Sequence, residues 1–596
     1  MYHLLLVLAV AVALIPVLSA GADEPTGEPV LAQGTDAFEF HTRPGLGEFE
    51  MVRVQGESFE RAARVRTLRE SPGGEQYWSV QLGQVTSTAV REGDVLVLRF
   101  AMRGAESTDE TGEARAMAYF QKAGPPWDKS VGFEASAGQQ WRRFVVPFRA
   151  DGDYEAGKAM VCFGFGYKPQ VAELADVSLV NYGPDVDPNS FRGGVGYEGM
   201  EEDAAWRQVA AEQIDRIRKA DLTVIVTDSS GEPVARAKVR AEMQRHAFGF
   251  GTAVAADRMP GGRRENEEYA RHVKKLFNRA TIENALKWPG WQRRGGPDSQ
   301  AVRTLRWLGE QDMLRHGHVM VWPSWKHMPD ELEDLADEPE KLAAAVREHI
   351  IDIASATRGL TEEWDVINEP FANHDLMDVL GRDAMADWFR TAREHAPGTV
   401  LMINDYGILN TGGRLNTDHQ NHYHETVAFL LEQDAPLDAI GLQGHFGWRL
   451  TPPRRLWDIL DRFAEFDLPL HVTEFDVNIS DEPLQARYTR DFLTAVFAHE
   501  AVESFTMWGF WEGRHWRPDA AIMREDFSMK PNGEAYRELV FEKWWTDENV
   551  ATDTDGRAVI RGFKGDYELT VESDGRAVRR KVSLGDDGAS VKVRLE

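Results

Sequence analysis

The chain has 596 residues, more than one ordinary domain needs and enough for a large core with appendages. Its 97 acidic against 68 basic residues leave a formal net charge of −29, on a composition that is 42% hydrophobic and 28% charged. So acidic a surface repels phosphate backbones and anionic lipid, which excludes nucleic acid as a natural partner, whereas a neutral polysaccharide meets no such field.

The first element is an export signal over residues 1–22. Residues 4–20 are an apolar run, and Ala20 and Ala22 form a small-residue cleavage site ahead of Asp23. The expectation is a secreted, periplasmic or cell-surface protein without membrane contact after cleavage. Residues 35–185 follow, with short alternating runs such as YWSVQL, DVLVLRFAM and WRRFVVPF broken by Gly, Pro and Asp. That pattern predicts an antiparallel β-sandwich. Within it Cys162, the single cysteine, sits in the apolar run MVCFGFGY and reads as a small buried hydrophobe. No intramolecular disulfide and no Cys-based metal site are possible.

Residues 186–220 read as a flexible linker with a helix near 201–219. Gly194, Gly196 and Gly199 have nucleotide-loop spacing there, but no strand precedes them, so the match is discounted. Residues 221–246 predict two strands about a Ser-Gly turn, and residues 543–596 a C-terminal β extension.

Residues 247–542 carry eight β-rich runs: FGFGTAV, FNRATIE, HVMVW, EEWDVIN, TVLMIN, LDAIGLQ, LHVTEF and SFTMWGF. Helical spacing separates them, as in Leu342, Val346, Ile350 and Ile353, or Tyr488, Phe492 and Val496. Eight strand–helix units predict an α/β fold, a (β/α)₈ TIM barrel. Catalytic groups of such barrels project from the C-terminal strand ends. Read in order, those ends are Glu283-Asn284, Trp322, Asn368-Glu369, Asn404-Asp405, Gln443 with His445, Glu474 and Trp508. Solvation alone would scatter such groups over both faces. Two carboxylates at one mouth are what retaining hydrolysis of a glycosidic bond requires, one to attack and one to protonate the leaving oxygen.

The segments FNRATIENALKW, WDVINEP, LMINDY, DAIGLQGHF, VTEFDV and MWGFW, in this order over 221–540, resemble glycoside hydrolase family 10, the retaining xylanases. The resemblance implies Glu369 as acid/base and Glu474 as nucleophile. It implies Asn368 on the sugar 2-hydroxyl, and His445 aligning Glu474 with Asp476 behind it. Gln443, Glu283, Asn284 and Lys287 would bind sugars on the non-reducing side of the cut, where Trp508 and Trp516 would stack. Asn404 and Tyr406 fall to the leaving-group side. Neither a metal nor an organic cofactor is implied, and no oligomeric partner is read from the sequence. The expected activity is that of an endo-1,4-β-xylanase. The alternatives are a β-glycanase acting on a substituted xylan or another β-glycan, or a non-catalytic carbohydrate-binding protein.

One position departs from the family. Pro323 stands where a sugar-binding histidine is usual after the third strand, with Ser324, Lys326 and His327 as possible substitutes. The sandwich is similar to xylan-binding carbohydrate modules, with Tyr77, Trp78, Phe120, Trp127 and Trp141 as platforms to consider. His419, His422 and His424 lack metalloprotease spacing and read as exposed polar residues.

Overall fold

In the computed structural model the chain is described over residues 27–596, apart from 33, 73, 110, 192–195 and 260–262. The expected export signal and Gly194 lie outside the described residues.

Eight parallel strands close into a barrel. They are β1 (Gly249–Val254), β2 (Arg279–Ile282), β3 (Leu314–Gly317), β4 (Glu363–Asn368), β5 (Val400–Asp405), β6 (Ala439–Phe446), β7 (Leu470–Val477) and β8 (Val502–Met507). Seven coincide with the runs read from the sequence. The third is displaced: β3 lies N-terminal to HVMVW, and that run follows β4 irregularly. Met320 and Val321 donate backbone N–H groups to the carbonyls of Asp365 and Val366 at 3.0 Å. Helices cover the outside, among them Pro339–Ala356 and Glu482–Phe497, whose apolar spacing predicted them. The first buries Leu342, Val346, Ile350 and Ile353 against the barrel.

The sandwich consists of two antiparallel sheets. Its central strand, Val95–Ser107, shows why these residues form it. Alternation puts Leu96, Leu98 and Phe100 into the inter-sheet core, and Val95 and Val97 outward beneath Phe191. Cys162 is 1% exposed, and burial pushes its thiol up to about 12. Phe120 is fully buried in the core and offers no sugar platform, while Trp78 and Trp127 are each 48% exposed. Tyr77 and Trp141 are half-buried.

In the stretch read as a linker, the described residues from Tyr197 onward are anchored to the barrel. Helix Trp206–Arg218 lies on the barrel, where Arg207 Nη2 and Tyr197 Oη donate to buried Asp491 at 2.7 and 2.8 Å. The two short β segments at 221–246 and 543–596 prove to be one unit. Strand Lys219–Thr227 runs between Arg557–Phe563 and Ala589–Arg594, and Lys238–His246 between Asp547–Ala551 and Gly565–Ser573.

The sandwich sits on the loops that follow β5 to β8. Trp448 packs its ring on Phe133, 5.2 Å between centroids, and its indole N–H donates to the Glu134 carbonyl at 3.0 Å. Asn410 and Arg449 both donate to the Thr111 carbonyl, at 3.0 and 3.1 Å, and Asn478 donates to Glu134 Oε1 at 3.0 Å.

Candidate active site

Two buried glutamates stand at the barrel mouth, near the C-terminal ends of β4 and β7. Glu369 follows β4 and is 6% exposed; Glu474 lies within β7 and is 4% exposed. Glu369 adopts a left-handed backbone, φ 56°, which costs an ordinary residue about 1–3 kcal/mol and persists only where surroundings enforce it. Here they do. Its N–H donates to the Asn404 carbonyl at 2.8 Å, and the Asn373 amide donates both to its carbonyl, at 3.1 Å, and to Oε2, at 3.2 Å.

Side-chain amides join the two carboxylates. Gln443 Nε2 donates to Glu369 Oε1 at 3.1 Å and to Asn368 Oδ1 at 3.3 Å. Asn404 Nδ2 donates to the same Asn368 oxygen at 3.1 Å and to Glu474 Oε1 at 2.8 Å. Asn368 Nδ2 returns to Glu369 Oε1 at 3.2 Å. Asn404, expected on the leaving-group side, is thus fully buried as a bridge, its Oδ1 accepting from the Thr473 hydroxyl at 2.7 Å. Gln443 Oε1 is buried without a hydrogen-bond partner among the described residues, an acceptor left open beside the carboxylates.

The second oxygen of Glu474 meets His445. Nε2 of that imidazole is 3.2 Å from Glu474 Oε2, and Nδ1 is 3.0 Å from Asp476 Oδ2. Burial alone would lower the imidazole, but Asp476 and Glu474 together raise it to about 10. At neutral pH His445 is therefore a cation between two carboxylates, and donates from both nitrogens. Burial works against ionisation of Asp476, yet His445 and Arg517 hold its carboxyl below the usual range.

Asp476 is tied onward to the sandwich. Trp516 Nε1 donates to Asp476 Oδ2 at 2.7 Å, and the Trp516 ring lies 4.8 Å from the His445 ring. The Arg517 guanidinium stacks over Trp516 at 4.1 Å and donates to Asp109 Oδ1 at 2.7 Å. Asp109 belongs to the sandwich, is 2% exposed and accepts from both the N–H and hydroxyl of Thr111, at 3.0 and 2.8 Å. Trp516 was expected only as a stacking face; Arg517 and Asp109 carried no sequence signal.

The remaining expected residues stand elsewhere around the mouth. Lys287 Nζ donates to Asn284 Oδ1 at 3.0 Å and lies 5.0 Å from the Trp322 ring centroid, within cation–π range. Glu283 is half-buried at the end of β2, and Tyr406 is half-buried against His419, 4.7 Å between rings. Trp508 is 7% exposed and stands 5.0 Å from the His318 ring. Pro323 is buried, Ser324 donates to Asp375 at 2.7 Å, and His327 stacks on Trp322 at 3.6 Å. The imidazole at this strand end is His318, which sequence reasoning passed over. Its Nδ1 is 2.8 Å from Asp365 Oδ2, and its ring lies between Trp322 and Trp508. The H-G-H spacing of 316–318 was the available signal. His419, His422 and His424 are half-buried, not exposed: His419 stacks on Phe371 at 4.0 Å and lies 3.1 Å from Asp405, and His424 meets Glu465.

A parallel barrel with paired glutamates at its mouth belongs to the class of carboxylate-pair glycoside hydrolases. Residues 239–540, about half of the chain, match the family described as glycosyl hydrolase family 10, and the chain belongs to that family. It is 30% identical over 377 residues to the anti-sigma-I factor RsgI6 of Acetivibrio thermocellus, covering 62% of this chain and 47% of that protein. It is 27% identical over 361 residues to endo-1,4-beta-xylanase 1 of Arabidopsis thaliana, covering 60% and 37%. Against endo-1,4-beta-xylanase B of Thermotoga neapolitana it is 28% identical over 308 residues, covering 46% and 84%. The chain thus spans less than half the length of the first two.

Proposed function

We propose that the protein is a retaining endo-1,4-β-xylanase. The observation that carries this reading is the amide-bridged pair Glu369 and Glu474, one ordered by Asn373 and Gln443, the other by Asn404 and cationic His445. In the first step Glu474 attacks the anomeric carbon. The glycosidic C–O bond breaks as Glu369 gives its proton to the leaving oxygen. In the second, water attacks the glycosyl ester, Glu369 takes its proton, and Glu474 leaves as a carboxylate. His445 holds the attacking carboxylate of Glu474 in line through the contact from Nε2 to Oε2. Family membership and the xylanases among its relatives support xylan as the backbone.

Glu474→Gln is expected to abolish release of reducing sugar from xylan and to leave binding of xylo-oligosaccharides intact. Products of the parent should first appear as the β-anomer by proton NMR. Full activity in the variant, or an α-anomer first, overturns the assignment. A second reading, carbohydrate binding without turnover, is favoured by one observation: the relative at 30% identity bears a regulator's name. Binding by the parent with no release from any xylan, glucan or mannan would establish it.

The chain is further read as exported, with residues 1–22 removed; the N-terminal sequence of the mature protein checks this. The sandwich is read as a sugar-binding module through exposed Trp78 and Trp127. Retention of Trp78→Ala/Trp127→Ala on insoluble xylan equal to the parent's would refute that.

A further inference from the structure

A groove of about 900 Å³ opens beside Asn284, Lys287 and Trp322 and runs outward from the barrel mouth. Its walls carry six cations, Lys287, Arg293, Arg294, Arg303, Lys326 and Arg514, against two carboxylates, Asp257 and Asp298. The chain as a whole has the opposite balance, 97 acidic to 68 basic. In so acidic a protein most surface cations have a carboxylate to meet, and many here do. Arg293, Arg294 and Lys326 are exposed and form no ion pair among the described residues. Arg514 shares Asp257 at 3.4 Å, and Arg303 is held by the Asp298 backbone carbonyl. The local field is felt at His327, which burial and then Lys326 and Lys287 lower to about 3.

A strip of unpaired guanidinium groups inside a concavity marks an anion site, because the planar fork of arginine matches a carboxylate through two parallel hydrogen bonds. The groove is continuous with the residues read as binding sugars on the non-reducing side of the cut. The ligand is then an anionic group carried by the glycan itself. We propose that this groove binds the carboxylate of a uronic acid branch on those sugars, so that the enzyme favours an acid-branched β-glycan over an unbranched one. The proposal rests on the hydrolase reading above and names its substrate class.

The test compares kcat/KM on glucuronoxylan, on the same polymer after its carboxyls are reduced to alcohols, and on unbranched xylan. The parent is expected to prefer glucuronoxylan at least tenfold over the reduced polymer, and to lose that preference as salt rises from 10 to 300 mM. Arg293→Glu/Arg294→Glu should erase the preference and leave unbranched xylan unaffected. Both arginines end helix Trp288–Arg294, so Lys326→Glu on a separate loop provides an independent variant expected to weaken the preference. A parent that does not distinguish the native from the reduced polymer overturns the proposal, as do variants with the parent's ratio. Calorimetry with a uronic acid-branched oligosaccharide separates the two readings. Binding that the arginine variants lose, without hydrolysis by the parent, would refute the hydrolase and keep the groove.

Discussion

Replacing Asp109 by Asn tests whether the sandwich is a working part of the barrel mouth. Asn keeps the shape and an acceptor oxygen but removes the charge that Arg517 meets at 2.7 Å and Arg115 at 3.5 Å. Asp109 and Arg517 are only 2% and 7% exposed. Breaking so buried a pair from one side costs about 3–5 kcal/mol, mostly for the charge left behind. Burial opposes ionisation of Asp109, but Arg517 and Arg115 prevail and hold it far below the normal aspartate value. Because the folded value is the lower one, the stabilisation is complete above the unfolded value, about pH 4, and is lost as pH falls below it. The gap between parent and Asp109→Asn in urea unfolding should therefore be about 3 kcal/mol or more at pH 7, and narrow between pH 4 and pH 2. A double-mutant cycle with Arg517→Gln isolates the pair. Xylan hydrolysis should fall in parallel, since Arg517 stacks on the tryptophan that holds Asp476. A coupling energy below about 0.5 kcal/mol, or a gap that does not vary with pH, would refute the reasoning.

His445 titrates in the opposite sense. Its folded value, about 10, lies above the ordinary 6.5, so its contribution is complete below pH 6.5 and lost as pH rises through 10. Parent and His445→Asn should converge in stability on going from pH 7 to pH 10; a constant difference would deny the imidazolium. Cys162, buried and with its thiol pushed up to about 12, should react with a thiol reagent only on unfolding. Rapid labelling of the native protein would contradict its placement.

The barrel was legible because its signals are local and repeated. Seven of the eight apolar runs end in a polar or aromatic group, and Glu369 and Glu474 each stand at such an end. The third strand was misplaced because HVMVW is the more apolar stretch, whereas Leu314–Gly317 has His316 facing the interior. There His316 pairs with Glu363 and Asp365, 3.0 Å from each. A buried charge cluster at that place defeats a reading based on hydrophobicity. That Asn404 bridges Asn368 and Glu474 was not legible for a related reason. Which neighbour an amide meets across a barrel depends on the register of strands far apart in sequence, and no spacing within one strand records it.

The junction of sandwich and barrel was invisible for a stronger reason, and it changes how the mouth should be understood. Its contacts join Asp109, Thr111 and Glu134 to Asn410, Trp448, Asn478 and Arg517, loop residues with no periodicity between them. Loops of that kind are ordinarily the mobile parts of a barrel. Here the loops after β5 to β8 are gripped; those after β6 and β7 directly follow the strand ends that carry His445 and Asp476, and the one after β8 brings Trp516 to Asp476. Preorganisation of this kind is most useful where charge must be held without rearrangement. The basic groove instead comes from the loops after β1, β2 and β3 together with Arg514, with its arginines exposed. The mouth thus divides its work between halves. One is braced by the sandwich to hold Glu474 in line; the other is open and carries the cations that the proposed acidic branch would meet.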